Sequence, residues 1–182
     1  MIITLNWVVG SGATSQDIQY KAATSSTWIT FSSVSGVAIT ETVTGLPDNI
    51  IYDFRIGSQC TGGTMNYSTP IQAINITEPP LTDSPTSVAI GYSFPELGGS
   101  VTSYVVKIYD SLGTTELSSQ TPTGATTRSG TFSGLTPSTT YNIRIIPTAG
   151  SFTKTDLPFN VVSTTAPPSC PAPTGVSAVL GV

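Results

Sequence analysis

The sequence predicts an all-β protein of two tandem β-sandwiches followed by one extra C-terminal β-strand, and three observations support this prediction. Charged residues make up only 9% of the chain, whereas Gly (17) and Pro (14) are abundant, a balance typical of short strands joined by turns. The segment from Gly45 to Ile56 recurs from Gly134 to Ile145. A repeat of about 90 residues has the size of one sandwich domain.

The third observation is a period-two alternation of apolar and polar residues, which is typical of strands. In the first unit, Ile3, Leu5 and Trp7 share one strand face. Five more strands are predicted there, near residues 18–22, 28–31, 39–43, 51–58 and 70–76. The second unit shows the same order: Val88, Ile90 and Tyr92 are aligned with the first strand, and the other strands lie near residues 104–109, 115–118, 128–132, 141–147 and 159–163.

The predicted domains span residues 1–77 and 78–166, and residues 167–182 form a C-terminal tail. The segments 76–80 (ITEPP) and 165–168 (TAPP) are predicted linkers. Because consecutive prolines stiffen a joint, we expect an extended rod.

Each copy of the repeat carries a Tyr six residues after a Leu, Tyr52 after Leu46 and Tyr141 after Leu135. With the apolar first strand and the Gly-Leu turn, these residues resemble the core and the tyrosine corner of the fibronectin type III family. The resemblance covers nearly the whole chain and implies a buried Tyr ring whose hydroxyl is hydrogen-bonded to nearby backbone. These motifs concern the fold and carry no chemistry.

Catalysis, cofactors and metal sites are not predicted. The chain has no His, which removes the commonest general base and the commonest metal ligand. The ten carboxylates are dispersed along the chain. Asp48 and Asp53 flank the first tyrosine corner, but Asp48 lies in a turn, where Asp is common. We therefore expect a protein that is not an enzyme and binds no cofactor.

The charge distribution disfavours two classes of partner. The net charge is −4 and the six basic residues are scattered, so no patch for nucleic acid is predicted. No run of about 20 apolar residues occurs, so membrane insertion is not expected. The N-terminal region lacks the basic start of a secretory signal.

The two ends of the sequence do not match the family pattern. The first unit begins on its second strand, and the tail contains an alternating set that resembles the missing first strand: Val176, Ala178, Leu180 and Val182. Three explanations are open. The chain is cut from a longer array, the tail is a disordered end, or the tail of one subunit completes the first unit of the next.

Strand complementation is the favoured explanation. An unfilled first unit exposes an apolar groove and an unpaired strand edge, which native proteins usually cover. Two sandwiches end to end measure about 70 Å, whereas a tail of about 16 residues spans at most about 55 Å, so a neighbour is reached more easily than the same subunit. Such a head-to-tail contact propagates into a ring or a filament.

The two cysteines, Cys60 and Cys170, match no metal-binding spacing. In related domains of bacterial surface and phage proteins, a Cys before the first strand and a Cys in a C-x-G-G turn are paired, and Cys60-Thr-Gly-Gly63 resembles that turn. The resemblance therefore implies a disulfide between subunits.

Three aromatic residues, Trp28, Phe31 and Tyr67, have two interpretations. They form an exposed patch for a sugar or a protein, or they close the sandwich core or its edge, which is the more common role.

These observations predict a structural protein, with a bacteriophage virion (tail, head decoration or fibre) as the leading hypothesis. Its partners are then copies of itself or other virion or surface proteins. The alternative is a bacterial cell-surface adhesin or an extracellular filament subunit, and a third option is a spacer attached to an enzyme. The phage part of the leading hypothesis is based only on the resemblance to domains of phage proteins.

Overall fold

The computed structural model describes residues 2–169, and within that range the chain is all-β and contains no helix. The predicted fold class of two tandem sandwiches is confirmed; the extra strand expected in the tail lies outside the described residues. The strands of the first unit are β1 (Ile2–Asn6), β2 (Ala13–Ala22), β3 (Ile29–Ser35), β4 (Thr40–Thr44), β5 (Tyr52–Cys60), β6 (Asn66–Tyr67) and β7 (Ile71–Ala73).

The second unit has one strand more than the first at its start. Its strands are β8 (Thr82–Pro85), β9 (Ala89–Pro95), β10 (Ser103–Tyr109), β11 (Glu116–Gln120), β12 (Thr127–Ser133), β13 (Thr140–Ala149), β14 (Phe152–Thr153) and β15 (Asn160–Ser163). One sheet has the order β12-β9-β8, and the other has the order β11-β10-β13-β14 with β15 also paired to β13. In the first unit, β1 and β4 form a two-stranded sheet. It faces a five-stranded sheet that has the order β3-β2-β5-β6, with β7 also paired to β5.

The strand register corrects one detail of the alignment between the units. Val43 and Phe132 each lie two residues before the Gly that begins the repeat, and they pair with Ile3 and Ile90. The equivalent core positions of β1 and β9 are therefore Ile3 with Ile90, Leu5 with Tyr92, and Trp7 with Phe94. The alignment of Trp7 with Tyr92 is wrong by two residues, because a shift of two leaves the alternation unchanged and only the pairing partner distinguishes the registers.

The second core is rich in aromatic contacts. The Phe94 ring lies edge-on to Tyr104 at 5.2 Å between centroids, and the Tyr92 ring lies 5.3 Å from Phe132. The polar ends of these residues are satisfied: the Leu97 amide donates to Tyr104 Oη at 2.8 Å, and Tyr92 Oη donates to Gln120 at 3.3 Å. Large rings thus fill this core and keep their hydroxyls hydrogen-bonded.

The repeated tyrosines occupy equivalent places in the two cores. Tyr52 and Leu46 are buried in the first core, and Tyr141 is buried in the second core with Leu135 packed beside it. The hydroxyl of Tyr141 accepts a hydrogen bond of 3.0 Å from the amide of Thr136, which ties the start of β13 to the preceding turn.

The two units are joined by hydrogen bonds around Asn49, which adopts a left-handed backbone (φ 63°) that Asn tolerates better than most residues. Its carbonyl accepts from the Ser100 amide at 2.7 Å, its amide donates to the Asn75 carbonyl at 2.8 Å, and its side chain accepts from the Thr77 amide at 3.0 Å. The amide of Ile51 donates to Ser100 Oγ at 3.0 Å. Two of these hydrogen bonds therefore join the units through Ser100, and the other two hold the segment 75–77 against Asn49.

Close backbone contact at this joint depends on Gly99. A β-carbon at Gly99 would lie 2.4 Å from the Asn49 carbonyl oxygen, and its φ is positive at 61°, so a side chain is excluded by both space and conformation. The predicted linker is also packed rather than free: Ile76 belongs to the second core and Pro79 is fully buried.

We expect alkaline pH to destabilise the second unit through Tyr92. Burial raises the pKa of Tyr92 to about 12, above its ordinary value near 10. Since the unfolded chain loses this proton first, the stabilisation is fully present below about pH 10 and is lost as pH rises through about 12. Urea unfolding followed by circular dichroism from pH 9 to 12 should show the free energy of unfolding falling less steeply in Tyr92→Phe. Equal slopes in the two proteins would contradict this role.

Candidate functional site: a groove along the first strand

The second edge of β1 is unpaired within the described residues. β1 pairs with β4 along one edge, whereas its equivalent β9 pairs with β12 along one edge and β8 along the other. β8 also contacts β15, an edge strand of the other sheet of the second unit. No described strand occupies the corresponding place beside β1.

A groove of about 420 Å³ lies at that place. One wall is the end of β1 with the two residues after it, from Leu5 to Val8. The opposite wall comes from β5, β6 and β7, with the apolar contributions of Phe54, Ile56, Tyr67 and Ile71. The groove thus overlaps the path of β8 at Leu5 and Asn6, the equivalents of Tyr92 and Ser93, and extends beyond it at Trp7 and Val8.

The open groove leaves apolar surface that the second unit buries. Ile90, Phe94 and Ile145 are at most 1% exposed, but the equivalent residues of the first unit are only half-buried: Ile3, Trp7 and Ile56. Ile71, on the far wall, is 57% exposed. At roughly 25 cal/mol per Å² of apolar surface, covering these side chains would be favourable by several kcal/mol.

Trp7 is fixed as a wall of the groove. Its indole Nε1 donates a hydrogen bond to Gln16 Oε1. Gln16 is fully buried, and its Nε2 donates to the carbonyls of Gly36 at 2.9 Å and Ala38 at 3.1 Å. Because leaving this buried amide unsatisfied is costly, the indole cannot swing into the groove without penalty.

Cys60 lies at the end of β5, two residues beyond Ser58, which lines the groove. It is exposed, with no disulfide to any residue of the range 2–169, and its Sγ lies 3.8 Å from the carbonyl oxygen of Ser11. The other residues predicted to act with it, Cys170 and the strand residues Val176, Ala178, Leu180 and Val182, lie outside the described residues. Of the predicted site, the described residues therefore include only Cys60 and the groove beside β1.

The structure places the three aromatic residues Trp28, Phe31 and Tyr67 in two different environments. Phe31 packs against the first core, as the more common role predicts. Trp28 and Tyr67 instead enclose the Arg55 guanidinium between their rings at 4.1 and 4.0 Å, and Tyr67 also lines the groove. Arg55 supplies a cation that stacks with both rings, and Tyr67 lies on the edge strand β6.

The Arg55 arrangement is a structural feature of both units. Arg144, at the equivalent position of the repeat, lies 3.8 Å from the Phe159 ring. Beside Arg55, Lys21 forms an ion pair of 2.7 Å with Asp53, and this hydrogen bond lowers the pKa of the Asp53 carboxyl. The Arg in both copies of the repeat was the available sequence signal for this stack, and sequence reasoning missed it.

Chemistry-bearing clusters are scarce in the part of the chain that the structure describes. Within residues 2–169, His, Cys, Asp and Glu do not form any group of three that could hold a metal ion. The same range contains no helix of the length and hydropathy needed to cross a bilayer. The Asp48 carboxylate accepts a hydrogen bond of 2.8 Å from the Asn75 side-chain amide, and this bond lowers the pKa of the carboxyl.

Comparisons with known proteins agree with the geometry. Residues 80–158 match the family model described as "Fibronectin type III domain". A two-domain fibronectin type III segment from chicken tenascin is similar in structure, with a TM-score of 0.56 and 18% identity over 90% of this chain and 92% of that chain. At this identity the likeness concerns the fold alone.

A second structure, of the chicken CNTN1 FN1-FN3 domains, matches with a TM-score of 0.37 and 14% identity, over 90% of this chain. The present chain spans 62% of the length of that structure. Among curated protein sequences, none matches the chain significantly.

The fold suggests a structural or adhesion-type module, and domains of this kind are typically non-catalytic. The second unit matches the family model directly, and the first unit repeats its strand order without a first strand among the described residues. The chain consists of two tandem fibronectin type III-like domains.

Proposed function

We propose that this chain is a non-catalytic structural protein whose copies join head to tail, the C-terminal tail of one copy completing the first unit of the next. The observation that supports this proposal is the groove beside the unpaired edge of β1. An extended peptide added to such an edge gains main-chain hydrogen bonds, and its alternate side chains fill the groove.

The tail has the composition that this groove requires. Val176, Ala178, Leu180 and Val182 alternate with Ser177, Val179 and Gly181, so one face of an extended strand is apolar throughout. The groove walls are apolar at Leu5, Ile56 and Ile71. Donation would also remove an exposed strand edge, which otherwise favours unspecific association.

The position of the C-terminus of the second unit favours a neighbouring copy as the acceptor. The amide of Thr164 donates to Thr139, at the start of β13, whereas Gly150, after the end of β13, lies against Ile51 of the first unit. Strands of the two units make at most marginal contact with each other, so the units meet at their ends.

The distance along the chain is then decisive. A path from Thr165 to the Cys60 end of the groove follows β13 and β5, about 55–60 Å at about 3.3 Å per residue. The eleven residue-to-residue steps from Thr165 to Val176 span at most about 38 Å. The tail is therefore too short for its own groove, whereas a neighbour can bring its groove to the tail.

A covalent link between Cys60 and Cys170 of the neighbour is part of this proposal. Cys60 is exposed at the end of the groove, and Cys170 precedes the donated strand. Two thiols become a disulfide by losing two protons and two electrons, and a small-molecule disulfide such as oxidised glutathione accepts them by exchange, leaving as two thiols.

A heterologous contact of this kind builds a ring or a filament. We propose a bacteriophage virion, as a tail, head-decoration or fibre component, for this assembly. The alternative, an extracellular filament or adhesin of a bacterial surface, uses the same contact. Mass spectrometry of purified particles and of bacterial surface fractions distinguishes the two locations.

We expect Leu180→Asp to abolish assembly, because it places a charge on the apolar face of the donated strand, where burial without a partner is costly. The matched variant Ser177→Asp, three residues away on the opposite face, should assemble like the unchanged protein. Light scattering after size-exclusion chromatography measures both. Equal assembly of the two variants, or a monomer for the unchanged chain, would sink the proposal.

We also expect electrophoresis without reductant to show a ladder of covalent multimers that collapses to one band with reductant. Mass spectrometry should identify a peptide that links Cys60 to Cys170. Cys170→Ser should remove the ladder while the non-covalent assembly remains. A ladder that persists in Cys170→Ser, or thiols that stay free in an assembled and oxidised sample, would contradict the disulfide.

A further inference from the structure

We infer that the donated strand has one register, in which Leu180 lies opposite Ile3, Ala178 opposite Leu5, and Val176 opposite Trp7. This inference rests on the proposed function and specifies its contact. The second unit supplies the template, because it contains the equivalent strand in place.

The template is the pairing of β8 with β9. Pro85 lies opposite Ile90 and Asp83 opposite Tyr92, and continuation of the register brings Leu81 opposite Phe94. Leu81 packs against the second core. Since Ile3, Leu5 and Trp7 are equivalent to Ile90, Tyr92 and Phe94, a strand in the first groove has three inward positions to fill.

Alternation restricts the choice of register. The inward positions must receive the even-numbered residues of the tail, because a shift of one residue would turn Ser177, Val179 and Gly181 inward. Three registers remain, in which Val182, Leu180 or Ala178 lies opposite Ile3. The last of these would place Thr174 beside Trp7 and is disfavoured by the cost of burying a hydroxyl in an apolar groove.

Side-chain size separates the remaining two. On the first strand the groove is lined by Leu5 to Val8 and not by Ile3, so it includes the position opposite Trp7 that Leu81 occupies in the second unit. With Leu180 opposite Ile3, Val176 fills this position; with Val182 there, only Ala178 does. The chosen register also pairs Val179 with Thr4 on the outer face, a β-branched pair that stabilises antiparallel strands.

The cysteines provide an independent argument for the same register. It makes Cys170 equivalent to Asn75, which lines a small cavity with Ile76 and Phe152. Phe152 pairs with Ala149, and Ala149 is the equivalent of Cys60 in the repeat. The register therefore brings Cys170 of one copy to the side of Cys60 of the next.

Cysteine pairs on the outer face test the register in the full chain. In a Cys60→Ser and Cys170→Ser background, Thr4→Cys is combined with Val179→Cys, Ser177→Cys or Gly181→Cys. Thr4 is exposed, and residues directly opposite each other lie about 4.5–5.5 Å apart at Cα, within disulfide range, whereas a shift of two residues exceeds about 7 Å. Oxidised glutathione should link the Val179→Cys pair at least fivefold faster than either shifted pair.

Each other outcome overturns a defined part. Faster linking of the Gly181→Cys or Ser177→Cys pair would overturn the register and leave strand donation standing. Assembly without linking in any of the three pairs would overturn donation of this tail and imply another filler of the groove or another contact. A monomeric chain before any substitution would overturn the proposed function together with the register.

Discussion

A β-sandwich is stable only where each sheet covers the apolar face of the other, and in the first unit a two-stranded sheet faces a five-stranded one. β1 must therefore provide both the inner face of its sheet and an open edge. The half-burial of Ile3, Trp7 and Ile56 follows from this mismatch, as does the groove. The neighbouring unit shows the balanced case, in which a third strand, β8, completes the cover.

The same frame is filled by different side chains in the two units. Aromatic rings fill the second core around Phe94 and Tyr104, whereas the equivalent positions of the first unit hold Trp7 and a buried amide, Gln16. The amide uses its hydrogen bonds to hold both the indole and the loop after β3. A polar group in this core thus fixes the shape of the groove wall, at a place where an apolar residue would leave the indole free to turn.

The fold class could be predicted because the alternation within each strand and the repeated segment can both be read directly from the sequence. The residue-by-residue alignment of β1 with β9 could not be predicted, because an alternation of period two is unchanged by a shift of two residues. Only the pairing of Val43 with Ile3 and of Phe132 with Ile90 distinguishes the possible alignments. The stacking of Trp28 and Tyr67 on Arg55 was missed for a related reason. Alternation assigns Arg55 to the outer face but does not show that Trp28, just before β3, and Tyr67, on β6, approach it. The joint at Asn49 depends on loop conformations that no periodic pattern encodes.

The joint also determines how a pulling force would travel along the molecule. Asn49 bonds directly to Ser100, so tension on the first unit reaches the second through short hydrogen bonds while the proline segment beside them stays packed. Stretching would then have to break several bonds together before the connecting segment could lengthen. A molecule with such a joint resists extension at small loads and yields abruptly at larger ones, unlike one whose domains are joined by a slack tether.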